Sequence, residues 1–402
     1  MDKKKLAING GPKAITIDPR KAADLLRWPR YEPAVIDRCA DLIRKGDITY
    51  NQDLVFQLGD GFAKYLGAEY CLPVSRGTDA LFIAYNILGV GPGTEVICPT
   101  YTFWATAMPA ANLGAKIVFA EADPKTFNMD PADVCKKITP KTKLIIPMHS
   151  WGIPCEMDEI NEIARERGIK VVEDASHAHG STYKGKKIGT LSDIAAFSIQ
   201  NSKLLPAGEG GLFVTNTLEY FEDACAWTDY FLIQRGFAGE RWRKYERTGL
   251  GWNLRISALN AAIGIEMLKV LDRNNAIINR NCVRFNAALE KTGYFRVPHP
   301  APGVTRVYYE NIVYYDFKAT GVPPVKLMEA LRAEGCDVNA TRYPLLHQQP
   351  YFVERGSDPN GLPVTDELLN HLMQVPKFPA ENDDIIDQYI AAFNKVLGVL
   401  VK

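Results

Sequence analysis

Residues 194–214 of the chain read IAAFSIQNSKLLPAGEGGLFV, 21 positions with two charges, Lys203 and Glu209. An ammonium set between apolar strands is costly to keep charged, which favours the neutral, nucleophilic amine. Such a lysine suits a Schiff base, although a lysine on an ordinary surface loop would read the same. The Gly-Glu-Gly-Gly that follows is a tight turn into the next apolar run. Upstream, VVEDASHAHG (171–180) places Glu173 and Asp174 at the end of an apolar strand pattern. A carboxylate there could pair with a protonated ring nitrogen, or cap the next segment. In SRGTDALFIAYNIL (75–88), Gly77 and Thr78 open a helical pattern directly after a strand pattern. Free N–H groups and the helix dipole make that an anion site where glycine lets a phosphate approach, while simple capping is the plainer reading. Ser198, before Lys203, adds a hydroxyl for the same anion. PTYTFWAT (99–106) offers Phe103 or Trp104 as a platform for a flat ring, or as ordinary core. GLGWNLRISALNAAIG (249–264) sets Asn253 and Arg255 in a polar island that reaches a neighbouring site or caps a helix.

The elements that must position these residues follow from periodicity. From about 68 to 215, short β-branched runs at 70–74, 95–98, 116–120, 143–147, 169–173, 194–198 and 211–215 alternate with helical patterns such as 78–88, 103–113 and 156–167. That alternation predicts an α/β fold with a mainly parallel sheet covered on both faces and ligands at strand carboxyl ends. A pattern at 256–290, unbroken by proline, predicts one long connector helix. Beyond it, aromatic strands at 307–317, helices near 324–334 and 381–399 and a loop at 349–363 predict a smaller α+β domain. The expected division is a large domain over 1–270, N-terminal segment included, and a small domain over 271–402.

Composition narrows the function. The 402 residues carry 47 Lys plus Arg against 47 Asp plus Glu, so no overall field draws the protein to nucleic acid or to a membrane. No long uncharged apolar run occurs, and the start MDKKKLAINGG lacks the core of a signal peptide, so a cytoplasmic location is expected. The eight cysteines are never closer than 20 residues apart, which excludes a CxxC pair or a zinc knuckle and leaves reduced packing thiols. LGVGPG (88–93) follows a helix and precedes a strand, the reverse of a dinucleotide loop, and is expected to be a turn. His177 and His179 with Asp174 lack a further well-spaced ligand, so no metal is expected. A nucleophilic lysine, a strand-end carboxylate, a phosphate-ready helix start and an aromatic platform on one α/β unit are the parts that pyridoxal 5′-phosphate requires.

DASHAHGSTYKGKKIG, AFSIQNSKLLPAGEGGLFVTN and GWNLRISALNAAIG resemble the signature blocks of the DegT/StrS family of pyridoxal-phosphate-dependent sugar aminotransferases. The similarity runs from about residue 28 to the C-terminus and includes RYPLLHQQPYF (342–352). It implies the aspartate-aminotransferase fold (fold type I) and a homodimer with shared sites. By position, Lys203 matches the Schiff-base lysine, Asp174 the partner of the pyridine nitrogen and His177 the residue close to the cofactor's 3′-oxygen. Phe103 matches the stacking aromatic, Gly77, Thr78 and Ser198 the phosphate site, and Asn253 an asparagine that serves the other subunit. Gln200 near Lys203 is more similar to the branch that aminates keto-cyclitols and to the related aminohydroxybenzoate synthases, and Asn260 stands where a glutamine is usual.

The implied activity is ping-pong amino transfer from glutamine or glutamate to a keto-sugar or keto-cyclitol. Tyr343 and His347 are polar groups that the small domain could bring to the substrate, or loop and packing residues. The alternatives are dehydration or aromatisation on the same cofactor and, in another class, a non-catalytic ligand-sensing regulator.

Overall fold

The computed structural model describes residues 5–401, so the first four residues of the start segment and Lys402 lie outside the described residues. Its central sheet has seven strands: β1 (Tyr70–Val74), β2 (Glu95–Pro99), β3 (Lys116–Ala120), β4 (Thr142–Ile145), β5 (Lys170–Asp174), β6 (Ile194–Ser198) and β7 (Gly211–Thr215). The order across the sheet is β1-β7-β6-β5-β4-β2-β3. β7 runs antiparallel to both β1 and β6, and the remaining pairs are parallel. Two successive reversals bring β1 back into line with β6, so the carboxyl ends of β1, β2, β5 and β6 share one edge.

Strand residues alternate between two cores, as the pleat requires. Ile97, Ile145, Val171 and Ala195 pack on one face with helix α1 (Gln52–Leu66); Cys98, Leu144, Val172 and Ala196 pack on the other with helix α2 (Gly77–Ile87). Burial on both sides is why these strands read as unbroken apolar runs. Helix α2 begins after extended Arg76, carries Asp79 in its first turn, and ends before Gly89 at φ 72. The LGVGPG segment is a turn between α2 and β2.

The expected single connector is two helices, α3 (Ala258–Leu268) and α4 (Leu271–Glu290), broken at Val270 with φ −112 and ψ 2. The cause is packing: α3 lies in the core beside α1, whereas α4 runs from that core, through Leu271 and Ile278, into a second one through Phe285 and Leu289. No proline or glycine marks the break, so periodicity continues across it. The second core belongs to a four-stranded antiparallel sheet of β8 (Phe295–Arg296), β9 (Asn311–Tyr315), β10 (Asn339–Ala340) and β11 (Leu372–Val375), covered by α5 (Pro324–Ala333) and α6 (Asp383–Leu400). Leu6 and Ile15 also pack there, and the buried Glu334 carboxylate accepts from Ala7 N–H and Ala14 N–H, each at 2.8 Å. The start of the N-terminal segment thus packs on the small sheet rather than on the large one. Among the described residues no helix is long and apolar enough to cross a membrane.

Candidate active site

A cavity of about 390 Å³ opens at the shared strand edge, and Gly77, Thr78, Phe103, Asp174, His177, Ser198, Lys203 and Tyr343 all line it. Lys203 lies on the loop between β6 and β7, which continues the hairpin through Ala207 N–H to the Ile199 carbonyl and Asn201 N–H to the Gly208 carbonyl, both 2.8 Å. Buried Leu204 and Leu205 anchor this loop, and the Trp28 indole N–H holds the Lys203 carbonyl at 2.9 Å. Lys203 is 9% exposed, and its Nζ sits 4.2 Å from the centre of the Tyr309 ring. Among the described residues no carboxylate oxygen comes within 4.0 Å of that nitrogen.

The adjacent carboxylates at the end of β5 face opposite sides of the sheet. Glu173, fully buried, accepts from Gly189 N–H (2.9 Å), Leu191 N–H (3.0 Å), the Ser192 hydroxyl (2.9 Å) and His149 Nε2 (3.2 Å). Burial alone would push its carboxyl up, and the His149 ring with the other donors outweighs this and holds it below the usual range. Asp174 instead turns toward α2: its Oδ2 accepts from the Thr106 hydroxyl at 2.7 Å and its Oδ1 from Ser176 N–H at 3.2 Å. Because Thr106 spends its one hydroxyl proton there, the Thr102 hydroxyl 2.7 Å away donates to Thr106. This relay orients Asp174 and leaves acceptor capacity facing the cavity.

His177 stacks on Tyr309 with ring centres 4.0 Å apart, and the Lys203 ammonium approaches the same ring. Burial and the nearby Lys203 ammonium hold its ring well below the usual imidazole range, so it is neutral. Its Nδ1 accepts from Trp151 N–H at 3.3 Å, which leaves Nε2 as the protonated nitrogen and a donor. His179 diverges from it: fully buried, between Phe62 and Phe197, it contributes packing rather than a ligand. Gly77 crosses β6 so closely that a Cβ would lie 2.7 Å from Ser198 Cβ and 2.9 Å from its Cα. This crossing sets the Gly77 and Thr78 N–H groups at the start of α2 beside Ser198, while the Asp79 N–H already bonds the Arg76 carbonyl at 3.1 Å.

These residues fit pyridoxal phosphate on the observations above: an amine without a counter-ion, a doubly supported carboxylate across the cavity, and a helix start whose glycine approaches Ser198 too closely for a Cβ without displacement. Phe103, 40% exposed, presents an aromatic face at the cavity wall. One residue expected at the substrate lies elsewhere. His347 is 1% exposed, bonded through Nδ1 to the Thr100 hydroxyl at 2.8 Å, and packs near Phe119 behind β2, so it does not reach the cavity. Asn253 is exposed, accepts from Arg255 Nε at 2.7 Å, and does not line the cavity of its own chain. Residues that local reading missed are Thr106, Trp28, Tyr309 and Arg342. Thr106 ends the PTYTFWAT segment, Tyr309 lies in the aromatic run at 307–317 and Arg342 opens RYPLLHQQPYF, but their contacts to the site span tens to hundreds of residues, so no local pattern assigned them to it.

The profile of the DegT/DnrJ/EryC1/StrS aminotransferase family matches residues 30–394. A UDP-2-acetamido-2-deoxy-3-oxo-D-glucuronate aminotransferase of Pseudomonas aeruginosa is 35% identical over 81% of this chain and 86% of its own. An L-glutamine:scyllo-inosose aminotransferase of Streptomyces griseus is 32% identical over 85% of this chain and 81% of its own. The crystal structure of an aminotransferase from Psychrobacter cryohalolentis superposes with a TM-score of 0.87 at 26% identity, covering 93% of this chain and 99% of that one. The likeness extends over both sheets and the site between them, and the chain belongs to the DegT/DnrJ/EryC1/StrS aminotransferase family as a pyridoxal-phosphate-dependent aminotransferase.

Proposed function

We propose that this enzyme moves an amino group from glutamine or glutamate to the ketone of a sugar or cyclitol, in two half-reactions that share one cavity. The observation that carries the reading is Lys203 Nζ, buried, free of a carboxylate partner and facing the same space as Asp174. Bound pyridoxal phosphate supplies an electron sink that lets the C–H bond beside an amine ionise. Lys203 Nζ takes the proton from the donor's α-carbon in the first half-reaction and gives one to the acceptor carbon in the second. Asp174, held by Thr106 and Ser176, balances positive charge on the ring nitrogen. His177 Nε2–H would donate toward the cofactor's ring oxygen, and Gly77, Thr78 and Ser198 would hold its phosphate. The chain acts as a homodimer in which Asn253 serves the neighbouring site; its exposure, together with that of Trp252 at 66%, supports this arrangement.

The holoenzyme tests this reading directly. Borohydride reduction is expected to fix the cofactor on Lys203, read by peptide mass, and Lys203→Ala protein is expected to lose that adduct and at least about 10³ of its turnover. Glutamine or glutamate alone is expected to release one keto acid per site and change the absorption spectrum; scyllo-inosose then restores it. Reaction with alanine or aspartate and with neither of these would overturn the donor assignment.

A further inference from the structure

A second lobe of about 270 Å³ adjoins the cavity, and the two share Ser202, Tyr309 and Arg342 as walls. It is formed where β9 and β11 of the small sheet meet the N-terminal segment at Trp28. Its lining is polar: Glu310, Lys377, Arg342, Asp337, Asn339 and Gln374. Glu310 stands alone as a charge in the aromatic run VYYENIVYY, yet it is 6% exposed. Its Oε2 makes no hydrogen bond among the described residues. Lys377 Nζ lies 3.3 Å from the Tyr309 carbonyl and over the Trp28 ring at 4.8 Å. Neither it nor Arg342 closes an ion pair with Glu310 within 4.0 Å. Burial pushes the Glu310 carboxyl up, against the pull of Lys203, Arg342 and Lys377. Burial likewise pushes Lys377 down to about 8. The buried Glu310 carboxylate thus faces the half-buried Lys377 ammonium across one space without an ion pair, and a buried acceptor without a donor is costly unless a bound molecule supplies one.

Resting on the proposed transamination, we infer that this lobe recognises the hydroxyl groups of an uncharged polyhydroxylated ketone, with the Glu310 carboxylate accepting from its ring hydroxyls and Lys377 donating to one of them. A molecule whose carbonyl carbon lies by Lys203 extends across the Tyr309 ring into the lobe, because Tyr309 walls both spaces. The two carboxylates of the lining, Glu310 and Asp337, offset its two cations, Arg342 and Lys377, so the lobe offers a diphosphate no net positive charge. The lobe therefore favours a free cyclitol or sugar over a nucleotide-linked one. A polar site built for hydroxyls also rejects ketones that lack them, since its buried groups are then left unpaired.

The test compares holoenzyme and its Glu310→Gln variant with scyllo-inosose and with cyclohexanone as acceptors, and measures binding of unreactive myo-inositol and of UDP-N-acetylglucosamine by calorimetry. We expect the ratio of kcat/KM for scyllo-inosose over cyclohexanone to fall about 30-fold or more in the variant, and myo-inositol binding to weaken about tenfold. Asn339→Leu, at an exposed position of the same lobe, is expected to move both readouts in the same direction and serves if Glu310→Gln does not fold. An unchanged ratio with unchanged myo-inositol binding overturns the inference, and so does a variant that weakens only UDP-N-acetylglucosamine. Failure of the native holoenzyme to aminate any ketone, while myo-inositol binding still depends on Glu310, would sink the transamination reading and leave the lobe's recognition standing.

Discussion

Glu173 and Asp174 are one peptide bond apart and have opposite tasks. Pleating sends Glu173 to the face with Val171, where four donors tie two loops to it, and Asp174 to the face with Val172, where among the described residues Thr106 and Ser176 hold its carboxylate. The histidines two residues apart divide in the same way, His177 into the cavity wall and His179 into the core. His179 is pushed down to about 3 by burial first and by the Lys203 charge second. In the unfolded chain it titrates near 6.5, so between about 3 and 6.5 the unfolded state binds more protons. Stability from this group is therefore complete above about 6.5 and is lost as pH falls toward 3, by an amount on the order of a few kcal/mol. His179→Leu, which removes the titration and two ring nitrogens without hydrogen bonds, is expected to flatten the acid limb. Urea midpoints measured from pH 4 to 7 check this: a limb as steep as that of the native protein would exclude His179 as its source. Glu310 is isolated in the aromatic run VYYENIVYY as Lys203 is within residues 194–214, so burial is costly to both charges.

At the scale of elements, the site depends on how closely α2 approaches β6. Gly77 permits that approach, and Gly211 does the same from the other side, since a Cβ there would lie 2.2 Å from the Arg76 carbonyl oxygen. Gly77→Ala must push the start of α2 away from Ser198 or distort β6, an overpacking that costs about 1–3 kcal/mol. Affinity for pyridoxal phosphate is expected to fall at least about tenfold, because the same N–H groups that would hold the phosphate move. Equilibrium dialysis with the cofactor and a thermal melt of the apoprotein separate the two effects. A variant with native affinity and a native melt would show that the close crossing is dispensable. The short α3–α4 break belongs to this scale as well: α3 is committed to the large core and α4 bridges two, so the helix axis has to change where one commitment ends.

For the whole molecule, the exposed Asn253 and the aromatics Phe103, Trp104 and Trp252 carry the proposed second subunit. In a two-fold dimer the same patch serves both chains, so each site would borrow Asn253 from its neighbour. Lys203→Ala and Asn253→Ala proteins are each expected to be nearly inactive. After subunit exchange, half of the dimers in an equal mixture would be hybrids with one intact site of two, giving about a quarter of native activity. A mixture that exchanges subunits, shown by mass, yet stays inactive would remove Asn253 from the neighbouring site.

The strands of the large sheet, the start of α2 and the position of Lys203 between β6 and β7 were legible in the sequence, because each is set by local periodicity, by turn residues or by an isolated charge. Which neighbouring carboxylate faces the cavity was not legible from periodicity, since both ends of β5 are buried and alternation alone does not say what covers each face. His347 shows the opposite error. A polar side chain in an aromatic loop suggested substrate contact, but Thr100, 247 residues away, supplies its partner instead. Tyr309, Arg342, Glu310 and Lys377 reach the site only because the small sheet folds back over the edge of the large one. Local chemistry is thus written in the chain where one element carries it, whereas the walls that choose a substrate come from distant segments whose meeting depends on burial of the two cores together.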